Sequence, residues 1–364
     1  MSGTIGSSGV ADAGWMSSLI ADSASVRQKL DTLTNQASSG LVGTTYAGLG
    51  SGASVSLDLN PQIADLQTWQ ANINQANGGM QVTQTAMTQV QSIAQTLYGQ
   101  LDSLNGLSTT DVDSVAAQAR DDLTQVANLL DSTNGNTYVF GGADSTNPPV
   151  PDPNQILTSG FYTQIAAAVR GLSANGAAAT ASSTLAIASS DATGTSPFSA
   201  YMSQPAATLQ ADTPVVQVGQ DQTVQVGLLA SANSAVTSSG SSTTGSYMRD
   251  VLRALATIGS LSSSQINDPG FQGLVQDTST SLQGAMSAMA DDAGVLGNTQ
   301  STLTATQTDL SDTATTLGTQ VAAVQNVDMA QTLSNLTLVQ TQMQASYQVI
   351  AGMSGLSLVK FLPT

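Results

Sequence analysis

Aspartate is the one abundant ionisable residue in this sequence, and it recurs as pairs that chemistry could use. Asp121-Asp122 and Asp291-Asp292 are adjacent carboxylates, and Asp111-Val112-Asp113 holds two more. Clustered carboxylates are the raw material of an oxygen-ligand site for calcium or magnesium. Neighbouring helix residues, however, point about 100° apart and do not converge on one ion. The pairs therefore read as solvated helix faces. Asp111 and Asp113 lack the other calcium-loop ligands and open a helical pattern, where negative charge complements the helix dipole. Gly48-x-Gly50-x-Gly52 resembles a phosphate cradle, but no strand precedes it and no P-loop lysine follows, so it reads as a flexible connection.

The missing residue types close most other routes. All 24 acidic residues are aspartate, histidine and cysteine are absent, and lysine occurs only at Lys29 and Lys360. That leaves no imidazole base, no Ser-His-Asp triad, no thiolate nucleophile, no disulfide and no ordinary zinc site. The expectation is a protein that is not an enzyme, with no catalytic residues, no cofactor and no metal. A net charge of −17 opposes nucleic acid and anionic lipid as partners. No apolar run is long enough to span a membrane, and the N-terminal residues lack the basic start and apolar core of a cleaved signal.

The elements that position these residues are helical. Leu66, Ile73, Met80, Met87, Ala94 and Leu101 recur every seven residues, and Trp69, Ala76, Thr83, Val90, Leu97 and Leu104 follow three behind. Together they form a heptad seam. Asn60-Pro61 reads as its start, an Asn cap followed by Pro at the first helical position, and Asn105-Gly106 as its stop. A further helix begins near Thr110, with Val112, Ala116, Ala119, Leu123, Val126 and Leu130 along one face. Upstream, Leu19, Val26, Leu30 and Leu33 outline a shorter helix that ends at Ser38-Ser39-Gly40.

The C-terminal part mirrors this arrangement. Tyr247 to Ile258 reads as a helix with Met248, Val251, Leu252 and Leu255 on its face. Leu296, Leu303, Leu310, Leu317 and Val324 form one seven-residue row, and Met329, Leu336, Met343 and Ile350 form another. Between the two arms, Asn147-Pro148-Pro149 and Pro151-Asp152-Pro153 block helix. Thr184 to Ala188 reads as a strand. Val215–Val218 and Val224–Val226 flank Gly219-Gln220-Asp221 as a hairpin, and helix is expected near Phe161 to Leu172. The fold class is mainly α with a β-rich insertion, built as a long antiparallel coiled-coil rod that carries a small outer β domain. Its divisions are 1–58 and 327–364 as terminal assembly segments, 59–140 and 247–326 as the two rod parts, and 141–246 as the outer domain.

Particular segments resemble the bacterial flagellin superfamily. Leu33-Thr34-Asn35-Gln36-Ala37-Ser38-Ser39-Gly40 is similar to its N-terminal "LSSG" helix end. Asn136-Thr137-Tyr138-Val139-Phe140-Gly141-Gly142, followed by Asn147-Pro148-Pro149, resembles a passage of its hook–filament junction branch. The run from Asp328 to Leu362, with Gln342 to Tyr347 and Leu356-Ser357-Leu358, resembles that branch's C-terminal helix. There are departures. The family's basic residue after "SSG" is replaced by Leu41-Val42-Gly43-Thr44-Thr45-Tyr46, and its arginine-flanked "L-G-A-R" by Asp291 to Asn298. Lost arginines imply more reliance on apolar and amide contacts between subunits.

The resemblance implies a structural subunit exported through the flagellar type III channel and polymerised through its terminal helices. Implied partners are other copies of itself, a neighbouring hook-associated protein, flagellin and an export chaperone. An isolated pair of terminal helices would leave apolar stripes exposed. The expected assembly residues are therefore Leu19, Val26, Leu33, Met329, Leu336, Met343, Ile350, Leu356, Leu358, Phe361 and Leu362. The expected rod core is Leu66, Ile73, Met80, Met87, Leu97, Leu101, Leu303, Leu310 and Leu317. Two alternatives stay open: bulk filament flagellin, and an exported adhesin or ligand-binding module that uses the insertion.

Overall fold

Every heptad row in the sequence becomes a helix, and the helices account for most of the chain. The computed structural model describes residues 8–104, 109–233 and 242–354. Helices α1 (Ser8–Ser39), α2 (Ala53–Leu104) and α3 (Thr109–Leu130) come first. They are followed by the two-residue strands β1 (Thr133–Asn134) and β2 (Thr137–Tyr138). Next are α4 (Gly160–Arg170), α5 (Leu172–Ala188), α6 (Ala206–Ala211), β3 (Val215–Gln217) and β4 (Thr223–Gln225). Helices α7 (Tyr247–Gly259), α8 (Phe271–Gln325) and α9 (Met329–Ser354) complete the order. Two compact units result, one from Met1–Leu66 with Asp312–Thr364 and the other from Gln67–Ser311. Among the described residues no helix is long and apolar enough to cross a membrane.

In the first unit α1 packs against α9. Gly40 ends α1 with φ +73°, a left-handed conformation that costs glycine no Cβ clash. This turn is locked to the α8–α9 connection. The amide of Val42 donates to the Gln325 carbonyl at 2.8 Å, and that of Val327 donates to the Gly40 carbonyl at 2.9 Å. Asp328 caps α9, its Oδ1 accepting from the Gln331 amide at 3.1 Å. The glycine cluster is an ordered 3₁₀ turn, Tyr46–Gly52, capped by Thr45, and not the flexible connection the sequence suggests. A Cβ on Gly43 would stand 2.7 Å from the Gly48 backbone carbon, so two chain segments meet there with no room for a side chain.

Helix α2 starts at Ala53, so Asn60-Pro61 does not cap it and Pro61 lies inside it. Proline costs an interior helix one amide donor and crowds the preceding turn. The early turns persist because Ser56 is buried and its hydroxyl accepts from the Gln325 side chain at 3.2 Å. Tertiary packing outweighs the local signal.

The second unit holds one apolar core. Ile73, Met80, Met87, Val90, Leu97 and Leu101 of α2 enter it, together with Val112, Leu123, Val126 and Leu130 of α3 and Leu274, Leu282, Met289 and Leu303 of α8. Each fully buried Leu, Ile or Met contributes about 1.5–3 kcal/mol against leaving it in water. Helix α7 is buried along its whole length, against α3 on one side and α4 and α5 on others. Strands β3 and β4 pair antiparallel with Val216 opposite Val224, which is the hairpin the sequence indicates. Thr184 to Ala188 is helical, not a strand. An alanine-rich run precedes it and favours helix, and the buried Thr184 hydroxyl returns to the Ala181 carbonyl at 3.0 Å.

Candidate assembly surface

The first unit presents the surface that calls for a partner. Helices α1 and α9 bury only part of their apolar stripes against each other: Val26, Leu30 and Leu33 on α1 and Leu336, Met343 and Ile350 on α9 are half-buried. Thr332 and Val339 are buried. Arg27 reaches across to donate from Nη2 to the Tyr347 hydroxyl at 2.8 Å, and this hydrogen bond holds its pKa above the ordinary value. Met329, Leu333, Tyr347 and Val349 stay exposed, as does Leu338 at 57%. A groove of about 640 Å³ runs between the two helices, with Leu33, Leu338 and Val339 as apolar walls and Lys29 and Gln342 among its polar lining. The side chain of Leu19, and all of Leu356, Leu358, Phe361 and Leu362, lie outside the described residues.

The expected core residues sit in both units. Leu66 is buried in the first and Leu317 is half-buried there. Ile73, Met80, Met87, Leu97, Leu101 and Leu303 are buried in the second, where Leu310 packs against the same core.

Neither aspartate pair is wholly solvated, because each has one buried member. Asp121 and Asp291 are exposed while Asp122 and Asp292 are buried, the divergence that the helical turn imposes. Gln118 donates to Asp122 at 2.7 Å, and burial raises the Asp122 pKa. Asp292 faces the hydroxyl of Tyr247, and burial pushes that phenol well above its ordinary value. Asp113 accepts from the Ser263 amide at 2.8 Å, tying α3 to the turn before α8, and the Ser263 hydroxyl, followed by this amide, lowers its pKa. Among the described residues no three carboxylates gather to hold an ion.

A buried polar network, which periodicity alone does not reveal, organises the second unit. Arg249 of α7 donates to the Ser231 and Ala188 carbonyls, both at 3.1 Å, and pairs with Asp191 at 2.6 Å. Arg253, one turn on, pairs with Asp277 of α8 at 2.6 Å and donates to the Ser242 carbonyl at 3.0 Å. Between them Asp250 accepts from the Thr243 hydroxyl and the Thr244 amide. The only sequence signal is the i, i+4 spacing of two arginines in a chain that has seven basic residues.

Comparison with known families places these elements. The model of the bacterial flagellin N-terminal helical region matches residues 16–143, and that of the bacterial flagellin C-terminal helical region matches residues 280–362. Together they cover more than half of the chain. The chain belongs to the bacterial flagellin family.

As a flagellin-family protein it is a structural component of the bacterial flagellum, a self-assembling polymer of exported subunits. The matched regions hold most of α1, all of α2 and α3, the β1–β2 hairpin, most of α8, and α9. Residues 144–279, between them, carry α4 to α7, the β3–β4 hairpin and the first turns of α8. No curated protein sequence matches the chain significantly. Among solved structures, the fold is similar to a Vibrio parahaemolyticus protein assigned as a flagellar hook-associated protein. That similarity has a TM-score of 0.51 at 10% identity, over 75% of this chain and 97% of that one.

Proposed function

We propose that this flagellin-family subunit joins hook to filament, polymerising through its terminal helices. The observation that carries the reading is the passage Asn136 to Gly142 followed by Asn147-Pro148-Pro149, set between a flagellin-like N-terminal arm and a helical insertion. Phe140 of that passage is fully buried, and its carbonyl accepts from the Ala230 amide at 3.1 Å. The passage thereby ties the end of the N-terminal arm to the insertion. The similarity to a hook-associated protein over nearly all of that protein's length supports the same reading. Its neighbours are then a second hook-associated protein on one side and flagellin on the other, with an export chaperone before assembly. The assembly residues are those of the α1 and α9 stripes.

The alternative is bulk flagellin, favoured by the two family models, which describe both helical arms. Copy position separates them. An epitope tag placed at the exposed Gln220-Asp221 turn and decorated with gold should mark only the proximal end of each filament. Label along the whole filament would make this the filament protein, and label away from flagella would defeat both readings.

A further inference from the structure

The first unit carries a ridge that matches its own groove. On the early turns of α2, Leu57, Pro61 and Asp65 follow one another at four-residue spacing, and Asp58 stands three before Pro61, so the four lie along one stripe. All four are exposed, Leu57 at 59%. The stripe is an apolar ridge edged by carboxylates. The α1–α9 groove has the opposite character, apolar walls beside the ammonium of Lys29, and its 640 Å³ has room for the Leu57 and Pro61 side chains. Among the described residues of this unit the only cations are Arg27 and Lys29, and Arg27 is engaged by Tyr347. Lys29 is exposed.

A chain with net charge −17 repels its own copies. A local pair of opposite sign favours contact between copies against that repulsion, and Lys29 is placed to supply the positive half. We infer that the Leu57–Asp65 ridge of one copy docks in the α1–α9 groove of the next, with Asp58 and Asp65 against Lys29. In a polymerising subunit the ridge of each copy enters the groove of the next, a head-to-tail, heterologous use of the two surfaces. Used that way it propagates as a ring or a helix. The inference rests on the reading of the chain as a polymerising subunit and names the surfaces that meet.

The test uses the full chain. Carbodiimide condenses a lysine amine with a carboxylate into an amide with loss of water, and lysine is confined to Lys29 and Lys360. Polymer grown from mixed ¹⁵N-labelled and unlabelled copies should yield mixed-isotope peptides joining Lys29 to Asp58 or Asp65. Lys29→Asp should raise the critical concentration for assembly by about tenfold or more, and Asp58→Lys/Asp65→Lys should do the same. An equimolar mixture of these two variants should assemble at the wild-type concentration, because every contact in an alternating polymer then pairs opposite charges. That rescue also separates lost contact from lost folding. Lys29→Asp polymerising as wild type, or a mixture that fails to recover, overturns the contact alone. Wild-type chain that never polymerises, by itself or on hook preparations, overturns the assembly reading and this contact with it.

Discussion

Removing the carboxylate of Asp277 should destabilise the second unit far more than removing both members of its ion pair. Arg253 is 2% exposed and its guanidinium sits 2.6 Å from Asp277. Burial lowers the Arg253 pKa, and Asp277 and Asp250 offset that effect. Asp277→Ala leaves the guanidinium desolvated with only the Ser242 carbonyl and the more distant Asp250. Breaking a buried pair in this way costs about 3–5 kcal/mol. The lower end, about 3 kcal/mol, applies here because the Asp277 side chain keeps 24% exposure. Arg253→Met/Asp277→Leu removes both charges and substitutes apolar volume, and such replacements range from neutral to stabilising. Arg253→Met alone should fall between, since Asp277 still accepts from the Ser242 hydroxyl at 2.6 Å and touches solvent. Guanidinium unfolding followed by circular dichroism reads the differences, with amide exchange in α7 as the local report. A cost below about 1 kcal/mol for Asp277→Ala, or an equal cost for the double variant, would refute the reasoning.

Two further outcomes follow from local geometry. Burial lifts the Asp131 carboxyl to about 6, although the Val150 amide donates to it at 2.9 Å. The folded state therefore binds this proton more tightly than the unfolded chain. The stability it contributes is complete below about pH 4 and lost as pH rises through 6. Asp131→Asn keeps the acceptor for Val150 and removes the charge. It should gain roughly 1 kcal/mol at pH 7 after discounting for partial exposure, a gain that vanishes at pH 4 in paired denaturation curves. Gly43→Ala places a methyl 2.7 Å from the Gly48 backbone and should cost about 1–3 kcal/mol. The loss should appear as faster exchange of the Val42 and Val327 amides while α7 protection is unchanged; equal protection at those amides would remove the steric argument.

Sequence alone determined what depends on neighbours along the chain. The seam of α3, from Val112 to Leu130, is buried as its spacing indicates, because a 3.6-residue turn stacks such residues on one face whatever they pack against. The Gly40 helix end and the β3–β4 hairpin are legible for the same reason: backbone torsion and alternation are local properties. Tertiary structure decided everything that depends on what stands opposite. Pro61 is carried inside α2 by the Ser56 contact with Gln325, and Thr184 to Ala188 is drawn into helix by the run before it. Asp122 and Asp292 are buried though Asp121 and Asp291 are not. Helix α7 is covered on every side, so Arg249, Asp250 and Arg253 become an internal lattice where periodicity alone would give them a wet face. The groove that holds Lys29 exists only where α1 meets α9. Its walls come from residues about 300 positions apart in sequence, a separation that no local pattern encodes.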